Sequence, residues 1–190
     1  MFQRAAAQAQ SVRATVTSTV PELDVLLSAA RWLVGRGAIP RCVSLAAGSA
    51  AGKYADRERL EAGLGAIGLP PHSCPTSSDG PDVIAFGNGE LWLVECKGAG
   101  TGTSQTQRNN FDRALASAVS YYGHTPNLIN EAEVNQRMIA LALPATTHYT
   151  RELKRRVRRE LRARLDMWVF LLDPSTRAFS AIVPDQEYPF

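Results

Sequence analysis

The sequence has few cysteines, no repeat and no low-complexity tract, and each absence excludes a class of protein. Three cysteines in 190 residues, Cys42, Cys74 and Cys96, are an odd and sparse set, so we expect reduced thiols and not a disulfide framework. His72 lies close to Cys74, but no second pair of ligands follows at the spacing of a structural zinc site. A hydrophobic content of 45% with 21% charged residues is typical of a globular domain, not of a disordered chain.

Long apolar segments are also lacking. No run approaches the roughly 18 to 20 apolar residues that a membrane-spanning helix needs. The opening segment, MFQRAAAQAQSVRATVTS, is too polar for the hydrophobic core of a signal peptide. We therefore expect a soluble, cytoplasmic protein that has no membrane partner.

Positive charge is concentrated in one segment of the chain. Residues 151–164 contain eight lysines or arginines and two glutamates, a local charge of +6, whereas the whole chain carries only +3. Exposed arginines at this density attract polyanions such as nucleic acids. They are equally typical of the solvated faces of an amphipathic helix, whose apolar stripe here would be Leu153, Val157, Leu161 and Leu165. The sequence is thus compatible with a nucleic-acid contact and with a solvated helix face.

Hydrophobic periodicity predicts strands that alternate with helices. Such a pattern favours an α/β fold with a mixed sheet, in which the strands on either side of the basic helix run parallel. We predict two parts of the chain, an N-terminal helical extension over residues 1–40 and a second domain over residues 41–190. The predicted helices cover residues 21–35, 55–68, 107–123 and 151–164, and the predicted strands cover 81–86, 91–97, 137–143, 168–172 and 178–183.

Three ionisable residues fall on the predicted hairpin formed by residues 81–97. Because alternate side chains of a strand share a face, Glu95 and Lys97 point the same way, and Asp82 begins the neighbouring strand. Two carboxylates side by side repel each other, and a divalent cation with oxygen ligands removes that repulsion. This arrangement suits phosphate chemistry, in which a metal polarises a phosphoryl oxygen and a nearby lysine stabilises negative charge.

The residues Gly80-Pro81-Asp82, followed by Glu95-Cys96-Lys97, resemble the signature of the PD-(D/E)xK nuclease superfamily. The order of helix, hairpin, helix and buried strand resembles that family too. The resemblance implies a restriction-endonuclease-like α/β/α core with a mixed central sheet. It also implies a metal-dependent deoxyribonuclease, most simply an endonuclease, that uses Mg²⁺ or Mn²⁺. In that family the matching positions are the metal ligands Asp82, Glu95 and the backbone carbonyl of Cys96, with Lys97 as the catalytic lysine.

The resemblance extends unevenly to other positions. Many members add a glutamate from the first helix, but the corresponding position here is Arg57, so we expect Glu61, one turn further on, as the helper carboxylate. Some members carry a glutamine and a tyrosine four residues apart after the motif, whereas Gln107 is followed at that spacing by Phe111. We interpret Tyr121 and Tyr122 as packing residues. The side chains expected to contact nucleic acid are Gln107, Arg108, Lys154, Arg155, Arg158 and Arg159.

Other functions fit parts of the pattern. The hairpin residues would form an ordinary surface ion pair on an exposed edge. A non-catalytic nucleic-acid-binding or assembly module would retain the fold without turnover. The glycines at 98, 100 and 102 suggest a nucleotide-binding regulator, but their spacing is GxGxG and not GxGxxG. The partners expected of a nuclease are DNA, a second copy of the chain for duplex cleavage, and a protein that contacts the N-terminal extension.

Overall fold

The computed structural model describes residues 19–44, 50–69, 76–77, 80–100 and 102–190 of the chain. His72 and Cys74, which the sequence places close together, lie outside these ranges. Among the described residues, no helix combines the length and the apolar character that crossing a membrane would require.

Helices and strands alternate along the described chain, which confirms the predicted α/β class. The predicted hairpin, the two buried strands and the last strand are present, whereas the strands Ile39–Ser44 and Thr76–Ser77 were not predicted. The helices are α1 (Glu22–Gly35), α2 (Ala50–Gly65), α3 (Ser104–Ser120), α4 (Thr147–Arg156) and α5 (Arg159–Leu165), with a 3-10 turn at Glu131–Glu133. The strands are β1 (Ile39–Ser44), β2 (Thr76–Ser77), β3 (Val83–Gly87), β4 (Glu90–Cys96), β5 (Gln136–Pro144), β6 (Met167–Leu172) and β7 (Phe179–Ile182).

All described strands belong to one mixed sheet with the order β2-β1-β3-β4-β5-β6-β7. β3 pairs antiparallel with both β1 and β4, and β7 pairs antiparallel with β6. β5 runs parallel to both β4 and β6, and the pairing with β6 across the basic segment confirms the parallel arrangement predicted for those two strands. The carboxyl ends of β4 and β5 therefore lie side by side at the same end of the sheet.

Helices cover both faces of the sheet. On one face, α1 packs against β4, whose Trp92, Val94 and Cys96 belong to the core on that side, and α2 packs against α1. On the other, α3 and α4 pack against Leu91 and Leu93 of the same strand. β4 is thus buried on both sides, which explains its nearly continuous apolar sequence.

Helix α1 belongs to this common core. The ring of Trp32 lies 5.5 Å from that of Trp92 and 4.9 Å from that of Phe170, centroid to centroid, so an aromatic cluster docks α1 on the sheet. The predicted boundary after residue 40 therefore does not separate two cores, because α1 shares one core with the strands that follow it.

The basic segment forms two helices, not the one predicted. α4 ends at Arg156, and α5 begins three residues later, at Arg159. Between them the carbonyl of Val157 accepts a hydrogen bond from the Tyr188 hydroxyl at 2.7 Å. The break changes the phase of the apolar stripe. Leu153 and Val157 are buried as expected, but Leu161 is exposed and Arg162 is buried in its place.

Candidate active site

The hairpin of β3 and β4 places the two motif carboxylates side by side. Val83 pairs with Val94, and continuing this antiparallel register sets Asp82 opposite Glu95. Alternation along β4 turns Cys96 towards α1, whereas Glu95 reaches helix α3 on the other face. The sequence prediction that these two carboxylates lie close together agrees with this geometry.

Asp82 is largely shielded from water at the start of β3. One of its carboxylate oxygens, Oδ2, accepts a hydrogen bond from the backbone N–H of Cys96 at 2.6 Å. Burial and the nearby charge of Glu95 raise the pKa of Asp82 to about 8, against the opposing effect of that hydrogen bond. Without a compensating cation, Asp82 therefore binds a proton at neutral pH.

A tyrosine at the end of helix α3 orients the side chain of Glu95. The Tyr121 hydroxyl donates a hydrogen bond to Glu95 Oε2 at 2.7 Å. Burial raises the pKa of Glu95, while hydrogen bonds from Tyr121 and Ser117 and the charge of Lys97 lower it. The prediction that Tyr121 only packs is therefore incomplete, since its hydroxyl orients a motif carboxylate. Ser117 and Tyr121 are one helical turn apart, and this spacing could have indicated a shared face.

Lys97 follows the end of β4 and meets the start of helix α1. Its ammonium Nζ lies 2.6 Å from Glu22 Oε2. Beside this pair, Val20 and Ala99 exchange backbone hydrogen bonds of 2.9 and 2.8 Å, which tie the chain before α1 to the loop after the motif. Glu22 thereby joins the motif residues, and its charge contributes to the raised pKa values of both Asp82 and Glu95.

The helix carboxylate that the structure places beside the motif lysine is Glu22 of α1, whereas the sequence prediction gave the helper role to Glu61 of α2. Glu61 instead forms an ion pair with Arg57 on the same helix, with 3.1 Å between Oε1 and Nε. The sequence prediction takes α2 as the helix that contributes a carboxylate to the site. It does so because β1 is not recognised as a strand, so α1 is assigned to an N-terminal extension. An acidic residue in the first turn of α1 was the available signal for Glu22.

The glycine loop after β4 has a packing function that the sequence did not reveal. A Cβ on Gly98 would lie 2.5 Å from the backbone nitrogen of Glu22, so only glycine lets the two segments cross. The side-chain amide of Gln107 donates to the carbonyl of Gly100 at 3.3 Å and bridges the loop to α3. These contacts account for Gly98 without a bound nucleotide.

The donor set of the site fits a hard divalent cation. Glu22, Asp82 and Glu95 supply carboxylate oxygens, and with Lys97 their formal charge is −2. In the described part of the chain, however, no three His, Cys, Asp or Glu side chains converge on one point that could hold a metal. The facing carboxylates of Asp82 and Glu95 are thus the candidate ligands, while Glu22 is engaged by Lys97. A magnesium ion needs only one or two carboxylates, because water completes its coordination.

Cys96 contributes to the site through its backbone alone. Its side chain is fully buried among the residues that face α1, and burial raises the pKa of its thiol well above the ordinary range. The Cys96 side chain therefore does not supply a thiolate ligand to a metal at Asp82 and Glu95, which lie on the opposite face of the sheet. The carbonyl oxygen remains the group through which Cys96 would bind a metal, as the family resemblance implies.

The predicted nucleic-acid contacts lie on α3, α4 and α5. Arg108 is exposed near the start of α3. Burial lowers the pKa of His148 at the start of α4, and the charges of Arg151 and Arg108 lower it further. Arg159 is engaged by Glu187, with 3.3 Å between the paired atoms. The other predicted contacts on the basic segment, Lys154, Arg155 and Arg158, are exposed to solvent.

Comparison with known proteins adds no relative. No family model matches the chain, and no curated protein or solved structure matches it either.

Proposed function

We propose that the protein is a Mg²⁺-dependent deoxyribonuclease of the PD-(D/E)xK type, acting as an endonuclease. The observation that carries this proposal is the pair of shielded carboxylates, Asp82 and Glu95, whose pKa values are raised beside a lysine. A fold maintains acids in such a position at a cost in stability, and a bound cation would offset that cost.

The order of elements supports the same proposal. The family resemblance implies a helix, the motif hairpin, a second helix and a buried strand. α2, β3 with β4, α3 and β5 follow that order, and a restriction-endonuclease-like core is therefore part of the proposal. The carboxylate of Glu22, which the preceding helix α1 carries, lies beside the motif lysine.

Each residue of the site would have a defined role in cleavage. Asp82 and Glu95, with the carbonyl of Cys96, would hold Mg²⁺ or Mn²⁺, and the ion would polarise the scissile phosphate and lower the pKa of a water molecule. Lys97 would place a positive charge where negative charge accumulates on the phosphorus-bound oxygens and would orient the attacking water. Glu22 would hold the Lys97 ammonium in place, and Tyr121 would fix the orientation of Glu95.

The decisive experiment is cleavage of supercoiled plasmid, linear duplex DNA and RNA in Mg²⁺, in Mn²⁺ and in EDTA. We expect metal-dependent nicking or cutting of the plasmid by the wild-type protein. Asp82→Ala and Glu95→Ala should abolish cleavage while the circular-dichroism spectrum stays native. The matched control is Glu58→Ala, which removes an exposed carboxylate of α2.

The alternatives give different results in the same assay. A non-catalytic nucleic-acid-binding module would retard DNA in a gel without cutting it in either metal. A nucleotide-binding regulator would show saturable binding of ATP or NAD instead. Asp82→Ala and Glu95→Ala proteins that cut as fast as wild type would contradict the assignment of the site.

A further inference from the structure

The solvent-facing side of α4 carries a continuous row of cations. At 100° per residue, Arg155 lies 40° from Arg151 around the helix, and Lys154 lies 60° to its other side. Arg158, immediately after the helix, is also exposed. We call these four residues, Arg151, Lys154, Arg155 and Arg158, the α4 stripe.

A buried carboxylate organises part of this stripe. Glu152 is only 2% exposed, and its Oε1 has no hydrogen-bond partner. Guanidinium nitrogens of Arg151 and Arg155 approach Oε1 to 3.6 and 3.7 Å, and one of Arg156 approaches Oε2 to 3.9 Å. These distances allow charge attraction but are too long for hydrogen bonds. Glu152 thus gathers the arginines. Arg156 is also paired with Asp112, and one Nη of Arg151 lies 3.4 Å from His148 Nδ1, so the N–H donors of Arg155 and the remaining donors of Arg151 are the ones that face an external anion.

The stripe starts beside the candidate active site. The hydroxyl of Tyr149, in the first turns of α4, donates a hydrogen bond to the carbonyl of Gly98 at 2.9 Å, one residue after Lys97. From Arg151 to Arg158 the chain advances by seven residues, about 10 Å at the rise of an α-helix. Phosphates of one DNA strand advance about 3.4 Å per base pair, so the stripe matches the span of roughly four phosphates.

The far end of the stripe borders a polar cavity of about 440 Å³. Lys154, Arg158 and Arg159 line it together with Glu160, Glu187 and Tyr188, and the buried Arg162 makes a cation–π contact of 4.5 Å with Tyr188. Both glutamates pair with Arg159, so Lys154 and Arg158 are the residues that carry the positive charge of the stripe up to the cavity. A chain-like anion suits this extended shape better than a compact one.

We propose that the α4 stripe binds the phosphate backbone of DNA on one side of the cleaved bond. The choice of DNA as the ligand rests on the proposed nuclease function. The stripe contributes affinity that ignores base sequence, through release of counterions. Arg151 and Arg155 contact phosphates directly, and Glu152 acts as a positioning residue for them.

The test measures binding without cleavage. A fluorescently labelled 30-base-pair duplex is titrated with the full-length chain in EDTA at several NaCl concentrations, and binding is followed by anisotropy. We expect Arg151→Ala/Arg155→Ala to weaken binding at least about tenfold at low salt and to reduce the slope of log K against log salt by about 2. Lys154→Ala/Arg158→Ala, which leaves the surroundings of Glu152 intact, should have a similar effect.

The matched control removes the same charge from the other face of the sheet. Arg31 and Arg177 line a pocket with Phe179, on the side of the sheet covered by α1, so Arg31→Ala/Arg177→Ala should change the salt slope by less than about 0.5. Equal effects of the control and stripe pairs would overturn the proposal, as would wild-type slopes in both stripe variants. Loss of binding to phosphatidylserine vesicles with unchanged DNA binding would also overturn it and assign the stripe to a membrane surface.

This result is separable from that of the cleavage assay. Loss of DNA affinity in the stripe variants supports the inference even if no condition produces cutting. Conversely, metal-dependent cutting with unaltered salt slopes in those variants refutes the stripe and leaves the proposed nuclease function standing.

Discussion

Replacing Asp82 with asparagine should stabilise the metal-free protein at neutral pH. The folded-state pKa of about 8 lies above the ordinary value of 3.8, so folding requires Asp82 to keep a proton that the unfolded chain has already lost. The stability associated with Asp82 is therefore complete below pH 3.8 and is lost progressively until pH 8. An asparagine at this position would be neutral throughout, and its side-chain oxygen can still accept the N–H of Cys96.

The magnitude follows from the linkage relation. Between pH 5 and pH 7 the folded carboxyl is protonated and the unfolded one is ionised, so the free energy of unfolding of the wild type should fall about 1.4 kcal/mol per pH unit more steeply than that of Asp82→Asn. Over the two pH units the difference amounts to roughly 2 to 3 kcal/mol, or about 5 to 10 °C in melting temperature for a chain of this size.

Urea unfolding in EDTA at pH 5, 6 and 7 measures this difference directly. Asp185→Asn, which changes an exposed carboxylate near the C-terminus, is the matched control and should follow the wild type. Mg²⁺ at 100 times its Kd should raise the wild-type stability by about 2.7 kcal/mol and that of Asp82→Asn by much less. Parallel pH profiles for wild type and Asp82→Asn would refute the view that a shielded, proton-binding acid occupies this position.

Three further substitutions test other parts of the structure. Tyr121→Phe removes the donor to Glu95 and should lower the cleavage rate about 10 to 100-fold at limiting Mg²⁺. The control, Tyr122→Phe, changes an exposed tyrosine and should retain activity. Equal rates in the two variants would mean that Tyr121 has only a packing role. Glu22→Gln should reduce the cleavage rate more than Glu61→Gln does. The reverse order would favour Glu61, the helper carboxylate expected from sequence. Arg162→Ala should cost about 3 kcal/mol of unfolding free energy, measured by urea denaturation, because the carbonyls of Val183 and Gln186 lose their donor. An equal loss in the exposed Arg164→Ala would contradict that reasoning.

Much of the fold is readable from sequence because its signals are local. The hairpin follows from two apolar runs joined by Gly87, Asn88 and Gly89, of which Asn88 and Gly89 have the positive φ that such a turn requires. β1 escaped recognition because it contains Pro40 and is irregular where it pairs with β3 between Pro40 and Cys42. Missing β1 then shifted the expected first helix from α1 to α2.

The helix break in the basic segment has a different cause. Nothing in the sequence around Val157 forbids a continuous helix, since no proline or glycine lies between Arg151 and Arg164. The break depends on Tyr188, more than thirty residues away, whose hydroxyl donates a hydrogen bond to the carbonyl of Val157. An interaction of this range has no local signature.

The same distinction separates the two halves of the candidate site. Asp82, Glu95 and Lys97 lie on one hairpin, so strand alternation and a short turn suffice to bring them together. Glu22 and Tyr121 arrive from helices more than twenty residues away, and their positions depend on how α1 and α3 dock on the sheet. Docking of α1 through Trp32 and the close crossing at Gly98 therefore contribute to the site as much as the motif does. A hairpin carrying the motif without that docking would place two carboxylates together but would lack the partner that fixes Lys97.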